Sequence, residues 1–274
     1  MNAIADRLAA VRALMVARGY DSLIVPRADE YLGEYIPAHN ERLLWISGFT
    51  GSAGAVVVLR DRAAIFVDGR YTVQVRNEVD PGLFEYHHLI EEPHAQWLVK
   101  QLPEGARVAC DSRMHSLSWY RASGSTLGKA GLELVADTDN LIDQCWQDRP
   151  QPLVQPALLL EEAYTGSSSA EKRQRIAADI AEQGADAALV FAPDSVSWLL
   201  NIRGTDIPCL PIVQSFALLE SSGELTVFVD PGRIPQGFEQ HVGQGVVTLA
   251  ETAAEERLGA YAGKKVLADP DSAN

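Results

Sequence analysis

Ile65-Phe66-Val67-Asp68-Gly69-Arg70 and, far downstream, Val227-Phe228-Val229-Asp230-Pro231-Gly232-Arg233 carry one pattern. Each is an apolar run that ends in Asp, passes through a turn residue or two, and reaches Arg. Aromatic and β-branched side chains favour a strand, and Asp with Gly or Pro closes it in a tight turn. The agreement extends outward from this point. Upstream, Gly19-Tyr20-Asp21 running into Ser22-Leu23-Ile24-Val25 is matched by Gly184-Ala185-Asp186 running into Ala187 to Phe191. Trp45-Ile46 before Gly48 is matched by Trp198-Leu199 before Gly204, and the strand from Gly54 to Leu59 by Ser215 to Leu219. Downstream, Arg107-Val108-Ala109-Cys110-Asp111 is matched by Lys265-Val266-Leu267-Ala268-Asp269. A shared period of about 160 residues marks two copies of one domain rather than a short solenoid repeat.

The local physics of each copy is consistent with this reading. Ile4, Leu8, Val11 and Met15 fall at three- and four-residue steps and form one apolar helical stripe. Gly19 follows as a C-terminal cap, where positive φ costs little without a Cβ. The second copy opens on Ser168 and Glu171 at capping-box spacing, with Ile176 and Ile180 on its helix. Pro93 suits the first turn of a helix through Trp97, Leu98 and Leu102. Helices alternating with strands, plus one hairpin between Val56 and Val67, predict an α/β domain with a mixed sheet. Between the copies, Arg149-Pro150-Gln151-Pro152 and Pro156 read as a semi-rigid linker. The expected domains are therefore 1–150 and 157–274. After Asp269 the second copy stops within a few residues, so it is expected to be C-terminally incomplete by about 30 residues and the chain to be a fragment.

Composition narrows the function. Hydrophobic residues make up 47% of the 274 and charged residues 22%, which suits a folded globular chain. A formal charge of −14 opposes nucleic acid or anionic membrane as a partner, because phosphate binding needs clustered Lys and Arg. Cys110, Cys145 and Cys209 are odd in number and dispersed, and read as reduced thiols of a cytoplasmic protein. No apolar run approaches the ~18 residues of a membrane span.

The run Leu44-Trp45-Ile46-Ser47-Gly48-Phe49-Thr50-Gly51-Ser52-Ala53-Gly54, followed by Val67-Asp68-Gly69-Arg70-Tyr71, resembles the N-terminal domain of the creatinase/prolidase/aminopeptidase P superfamily. Two such domains in tandem resemble the three-domain cytosolic aminopeptidase P type. Asn140-Leu141-Ile142-Asp143, Trp146, Tyr164-Thr165-Gly166 and Trp198 to Gly204 are similar to that type as well. The resemblance implies two ribonuclease H-like domains, each a mixed sheet flanked by helices, in a homodimeric parent that cleaves the bond before a penultimate proline of a peptide. It implies that a C-terminal pita-bread domain, absent here, holds two divalent ions, usually manganese, through two Asp, one His and two Glu. No metal ligand and no catalytic residue carries over. A different class remains open: a non-catalytic peptide- or protein-binding module, like the pseudo-peptidase domains of histone chaperones.

Arg70 is the candidate substrate-binding residue. The resemblance implies that the Arg of the Asp-Gly-Arg-Tyr segment contacts the peptide, and a guanidinium offers a fixed fork of donors to carboxylate or carbonyl oxygens. The bland alternative is a surface Arg opening a helix capped by Asp68. Arg233 holds the equivalent place, with Pro231 altering the turn, and is read as structural. Gly48, Gly51 and Gly54 precede a β-branched strand, so they read as turn and packing glycines and not as a phosphate loop. His87 and His88 are adjacent and would point to opposite faces of a strand; His94 sits in another element, and His39, His115 and His241 read as isolated. Asp68, Asp111, Asp230 and Asp269 end strands and read as caps. Trp45, Trp97, Trp119 and Trp198 read as core or interdomain packing residues.

Overall fold

The computed structural model describes residues 3–274, so the first two residues of the expected first domain lie outside the described residues. The chain divides into two compact units, one reaching Gln151 and one running from Pro152 to Ala273.

The first unit begins with helix α1 (Ala3–Ala17), whose Leu8, Val11 and Met15 are buried as the apolar stripe requires. Gly19 sits at φ +70° and turns the chain into strand β1 (Ser22–Pro26). Helix α2 (Arg42–Ser47) follows a long loop, and strands β2 (Gly54–Leu59) and β3 (Ala63–Val67) form the hairpin. Next come α3 (Gln74–Glu78), β4 (Glu85–His88), α4 (His94–Gln101) and β5 (Arg107–Cys110). The unit closes with α5 (Leu117–Gly128), β6 (Glu133–Ala136) and α6 (Leu141–Cys145). Pro93 takes the N-cap of α4, at ψ 137°, rather than a place in its first turn.

The sheet order is β4-β3-β2-β1-β5-β6. Only β2 is antiparallel to its neighbours; β3–β4, β1–β5 and β5–β6 pair in parallel. Both faces are covered, so the central strands β2 and β3 are apolar throughout. Leu23, Val25, Val56, Val58, Ile65 and Val67 face α1, α2 and α6. Ile24, Val57, Leu59 and Phe66 face Trp97, Leu98 and Leu127 on the other side.

The second unit repeats the plan. Strand β7 (Leu158–Leu159) and helix α7 (Glu162–Thr165) lead into α8 (Ser169–Glu182), whose Ser168 and Glu171 form the capping box. Strand β8 (Ala187–Val190), helix α9 (Pro193–Leu200), and strands β9 (Ile202–Arg203), β10 (Ser215–Glu220) and β11 (Leu225–Val229) follow. Helix α10 (Phe238–Val242), β12 (Val246–Leu249), α11 (Ala254–Gly259) and β13 (Val266–Ala268) complete it. Its main sheet runs β12-β11-β10-β8-β13, so β8, β10, β11, β12 and β13 answer β1 to β5 in turn. The fold class is the α/β one expected, a mixed sheet between helices, twice over.

The two equivalent tryptophans differ in cover, and Trp198 is not a core residue. Trp45 is buried and stacks on Trp146 at 5.9 Å, whereas its counterpart Trp198 is 42% exposed. Trp198 covers a buried lysine instead: Lys172 Nζ lies 4.3 Å from the ring and donates to the Trp198 carbonyl and to Asn201 Oδ1.

Candidate functional site

Strand directions decide where the motifs meet. With β2 reversed, the C-terminal ends of β1, β3, β4, β5 and β6 and the N-terminal end of β2 share one end of the first sheet. That end is where doubly wound sheets bind ligands, at the point where strand order reverses. Here that point lies between β1 and β5, and it is filled. Arg42, 2% exposed, reaches across it with Nε and Nη2 forked on Asp143 at 2.7 and 2.9 Å and Nη2 also on Glu30 at 3.0 Å. Arg149 Nη1 holds the same Asp143 at 2.8 Å, and Asn40 Nδ2 donates to Glu30. The remaining cavity, beside Arg42, Asp111, Met114 and Asn140, is about 10 Å³, no more than one water.

On the exposed rim of the same end, residues 69–71 form a 3₁₀ turn capped by Asp68, whose carboxylate accepts the Arg70 N–H at 2.9 Å. The same carboxylate takes the guanidinium, from Nε at 3.2 and 3.1 Å and from Nη2 at 2.7 Å. The Arg70 hydrogen bonds hold the Asp68 carboxyl below its usual range, and Asp68 in turn raises Arg70. Arg70 remains 64% exposed, and its Nη1 makes no hydrogen bond among the described residues. The cap and the surface Arg are thus both real, and one end of the fork is presented outward.

The turn stands on a rigid base. Tyr71 Oη and Ser52 Oγ are 2.7 Å apart, a contact that lowers the Tyr71 phenol, and the Tyr71 ring meets buried Phe49 edge-on at 5.6 Å. Glu78 anchors the Phe49 loop by accepting Thr50 N–H at 2.8 Å and Thr50 Oγ1–H at 2.6 Å. A Cβ at Gly51 would collide with the Phe49 ring and crowd Tyr71, so any larger residue requires Phe49 to shift. Gly54 opens β2 beneath them, and Gly48, at φ +82°, ends α2. Arg27 ties the loop after β1 to this base through the carbonyls of Glu34 and Ser52. In that loop Asp29 accepts the N–H groups of Tyr31 and Gly33, and burial pushes its carboxyl up to about 6. A shallow groove of about 180 Å³, lined by Val67, Thr72, Tyr86 and His88 among others, lies on the turn's flank.

The equivalent Arg233 is used differently. Residues 231–233 still form a 3₁₀ turn, with Asp230 accepting the Gly232 N–H, so Pro231 does not abolish it. Arg233 is only 5% exposed, paired with Asp206 and donating to Gln214 Oε1 at 3.2 Å. Asp111 also caps a turn and takes the fork of Arg113, while Asp269 accepts the Asp271 N–H.

The histidines need one correction. His87 stacks on Phe66, and His88 Nδ1 accepts the N–H groups of Ile90 and Glu91, so the two diverge as adjacent strand residues must. His115, however, is not isolated. The crossover from β4 through α4 to β5 brings His94 and His115 onto the same Trp119 ring, at 5.5 and 3.6 Å. Sequence reading missed this pair and the Arg42 network alike. The Asp-x-Arg spacing of Asp111-Ser112-Arg113 repeats Asp68-Gly69-Arg70 and marks the neighbouring turn, but no local pattern marks either partnership. Among the described residues no three His, Cys, Asp or Glu side chains converge to hold a metal ion. No described helix is long and apolar enough to cross a membrane.

Comparison with known proteins fixes the family. A model described as the Creatinase/Prolidase N-terminal domain matches residues 7–145, and a second of the same description matches 148–274. The chain belongs to the creatinase/prolidase N-terminal domain family. Its curated relatives include Xaa-Pro aminopeptidases. ApepP of Drosophila melanogaster is 34% identical over 235 residues, 85% of this chain and 38% of that protein. Xaa-Pro aminopeptidase 2 of Homo sapiens is 34% identical, over 82% of this chain and 34% of that one. Xaa-Pro aminopeptidase 1 of Dictyostelium discoideum is 31% identical over 98% of this chain and 45% of its own. An X-prolyl aminopeptidase from Caenorhabditis elegans, described as a cytosolic enzyme with a di-nuclear active site, superposes with a TM-score of 0.92 at 26% identity. It covers all of this chain and 48% of its own. The creatinase/prolidase-type pair of units thus spans less than half the length of the relatives it matches.

Proposed function

We propose that this chain is the N-terminal, non-catalytic region of an Xaa-Pro aminopeptidase, and that Arg70 contacts the peptide substrate. The observation that carries the proposal is the contrast between two equivalent arginines. Arg233 is sealed into the second unit by Asp206, while Arg70 is exposed on a braced turn with part of its fork unsatisfied. A fork of donors on a rigid loop suits a carboxylate or backbone carbonyl. The relatives' activity and the family membership support the choice of a peptide as ligand. In this reading the parent is a cytoplasmic homodimer, and its two divalent ions, manganese in our reading, are held by a pita-bread peptidase domain. The residues described here do not fit a metal, so no step of the chemistry is assigned to them through one.

The test is hydrolysis of an Xaa-Pro peptide with added manganese by three proteins: this chain, the longer parent, and the parent carrying Arg70→Ala. The expected result is a silent chain, an active parent, and a variant with reduced kcat/KM and an unchanged fold. Cleavage by the purified chain alone would overturn the non-catalytic assignment. An Arg70→Ala parent with full kcat/KM would remove Arg70 from recognition.

A further inference from the structure

Four strands border the two main sheets, and three of them carry the devices that keep a sheet edge from recruiting another strand. Strand β4 holds Glu85 with His87 and His88, and β6 begins at Glu133, which pairs with Arg107. Strand β13 lies between Lys264-Lys265 and Asp269-Pro270. Strand β12 carries no charged residue, histidine or proline of its own. Its residues are Val246-Val247-Thr248-Leu249, flanked by Gly245 and Ala250, with Val247 56% exposed.

The hydrogen-bond phase of β12 follows from one contact. The Leu225 N–H donates to the Gly245 carbonyl at 2.8 Å, and Leu225 pairs with Val246 in a parallel ladder. Successive residues alternate sides in such a ladder, so Val247 and Leu249 bond to β11 while the N–H and C=O of Val246 and Thr248 face away. Alongside runs a groove of about 490 Å³ between β12 and α10, with Phe238 and Val242 buried in its wall and Glu239 at its rim. The groove is preformed. Buried Arg173 donates to the carbonyls of Gly223, Val242 and Gln244 at 2.8–3.0 Å and pins the loop between α10 and β12. Glu239 is the charged residue of the lining, and Glu224 borders Gly245.

We infer that the free edge of β12 accepts an extended peptide as an added strand, its alternate apolar side chains lying in the groove beside α10 and its basic side chains toward Glu239. Main-chain bonds to an edge supply affinity and the flanking groove supplies selectivity, as in other strand-addition sites. The excess of acidic groups selects a basic occupant.

The probe is fluorescein-labelled Lys-Val-Lys-Val-Lys-Val, with Glu-Val-Glu-Val-Glu-Val as its charge-reversed control, followed by anisotropy against the whole chain. The Lys peptide is expected to bind, more weakly as salt rises, and the Glu peptide not to bind. Thr248→Pro deletes an outward donor at a position where an edge strand tolerates proline, and should weaken binding about tenfold. Val247→Lys changes an exposed side chain and adds the protection the edge lacks; it should weaken the Lys peptide similarly and decides the matter if Thr248→Pro misfolds by circular dichroism. Absent binding of the Lys peptide, or equal binding to wild type and Val247→Lys, overturns the inference. So does a chain that self-associates in sedimentation and becomes monomeric with Val247→Lys, because the occupant is then a second copy.

Discussion

Lowering the pH from 7 to 5 should remove about 4 kcal/mol of the first unit's stability through two side chains. His94 and His115 are buried against Trp119, and His94 Nδ1 and Nε2 and His115 Nε2 have no hydrogen-bond partner among the described residues. Burial pushes His94 down to about 4; burial, with the charge of nearby His94 second, pushes His115 down to about 3. In the unfolded chain each titrates near 6.5. The folded values are the lower ones, so the stability is fully present above 6.5 and is lost as the pH falls toward 4 and 3. At pH 5 the unfolded chain has gained about 2 kcal/mol of protonation energy per ring that the folded chain cannot match. Asp29 opposes this trend, because a carboxyl raised to about 6 makes folding more favourable as the pH falls. A comparison with His94→Phe/His115→Phe cancels that and every other shared group.

The assay is urea unfolding at pH 7 and pH 5, followed by tryptophan fluorescence. Trp45, Trp97, Trp119 and Trp146 all lie in the first unit, so the signal reports mainly on it. The wild type should lose about 4 kcal/mol more than the double variant between the two pH values, a large part of a typical 5–15 kcal/mol. Equal losses, to within about 1 kcal/mol, would refute the claim that these rings stay neutral in the folded unit.

Two further substitutions probe the same unit. Arg42→Met should cost about 3 kcal/mol by the same urea assay, because Glu30 and Asp143 are left without their buried partner while Arg149 retains part of Asp143; a loss below about 1 kcal/mol would mean that water replaces the guanidinium freely. Gly51→Ala should lower stability by about 1–3 kcal/mol, since the new methyl group must displace Phe49 beneath the Arg70 turn; an unchanged melting temperature would show that Phe49 has room to move.

Much of the fold could be read from the chain because its signals are local. Strands β2, β3, β10 and β11 are apolar on both faces, α1 carries a complete stripe, and Ser168 with Glu171 marks a helix start within four residues. Long-range partnerships leave no such mark. Arg42 lies 101 positions from Asp143, and only the crossing of β5 and β6 brings them together. His94 and His115 meet through the same kind of crossover. Trp198 and Trp45 are equivalent in sequence place but not in cover, since Trp45 stacks on Trp146, just after α6, and Trp198 lies over Lys172.

The Asp-turn-Arg pattern occurs three times, and its three outcomes separate scaffold from function. Arg113 folds back on Asp111 and also donates to the Thr138 carbonyl, while Arg233 is buried and paired with Asp206. In both, the guanidinium bonds another segment of its unit, so its charge is used to fasten loops. At Arg70 the capping bond is kept, yet among the described residues the guanidinium hydrogen-bonds only Asp68, two residues away, and lies 5.2 Å over the adjacent Tyr71 ring. Such a pair, largely in water, adds little stability, so stability gives no reason to hold a long cation upright there. What surrounds it is nonetheless rigid: Gly51 permits Phe49 to lie under Tyr71, Ser52 holds the phenol, and Glu78 fastens the loop from below. A donor group that reaches no segment beyond its own turn, on a base that is fastened on several sides, is arranged to meet something outside its own unit.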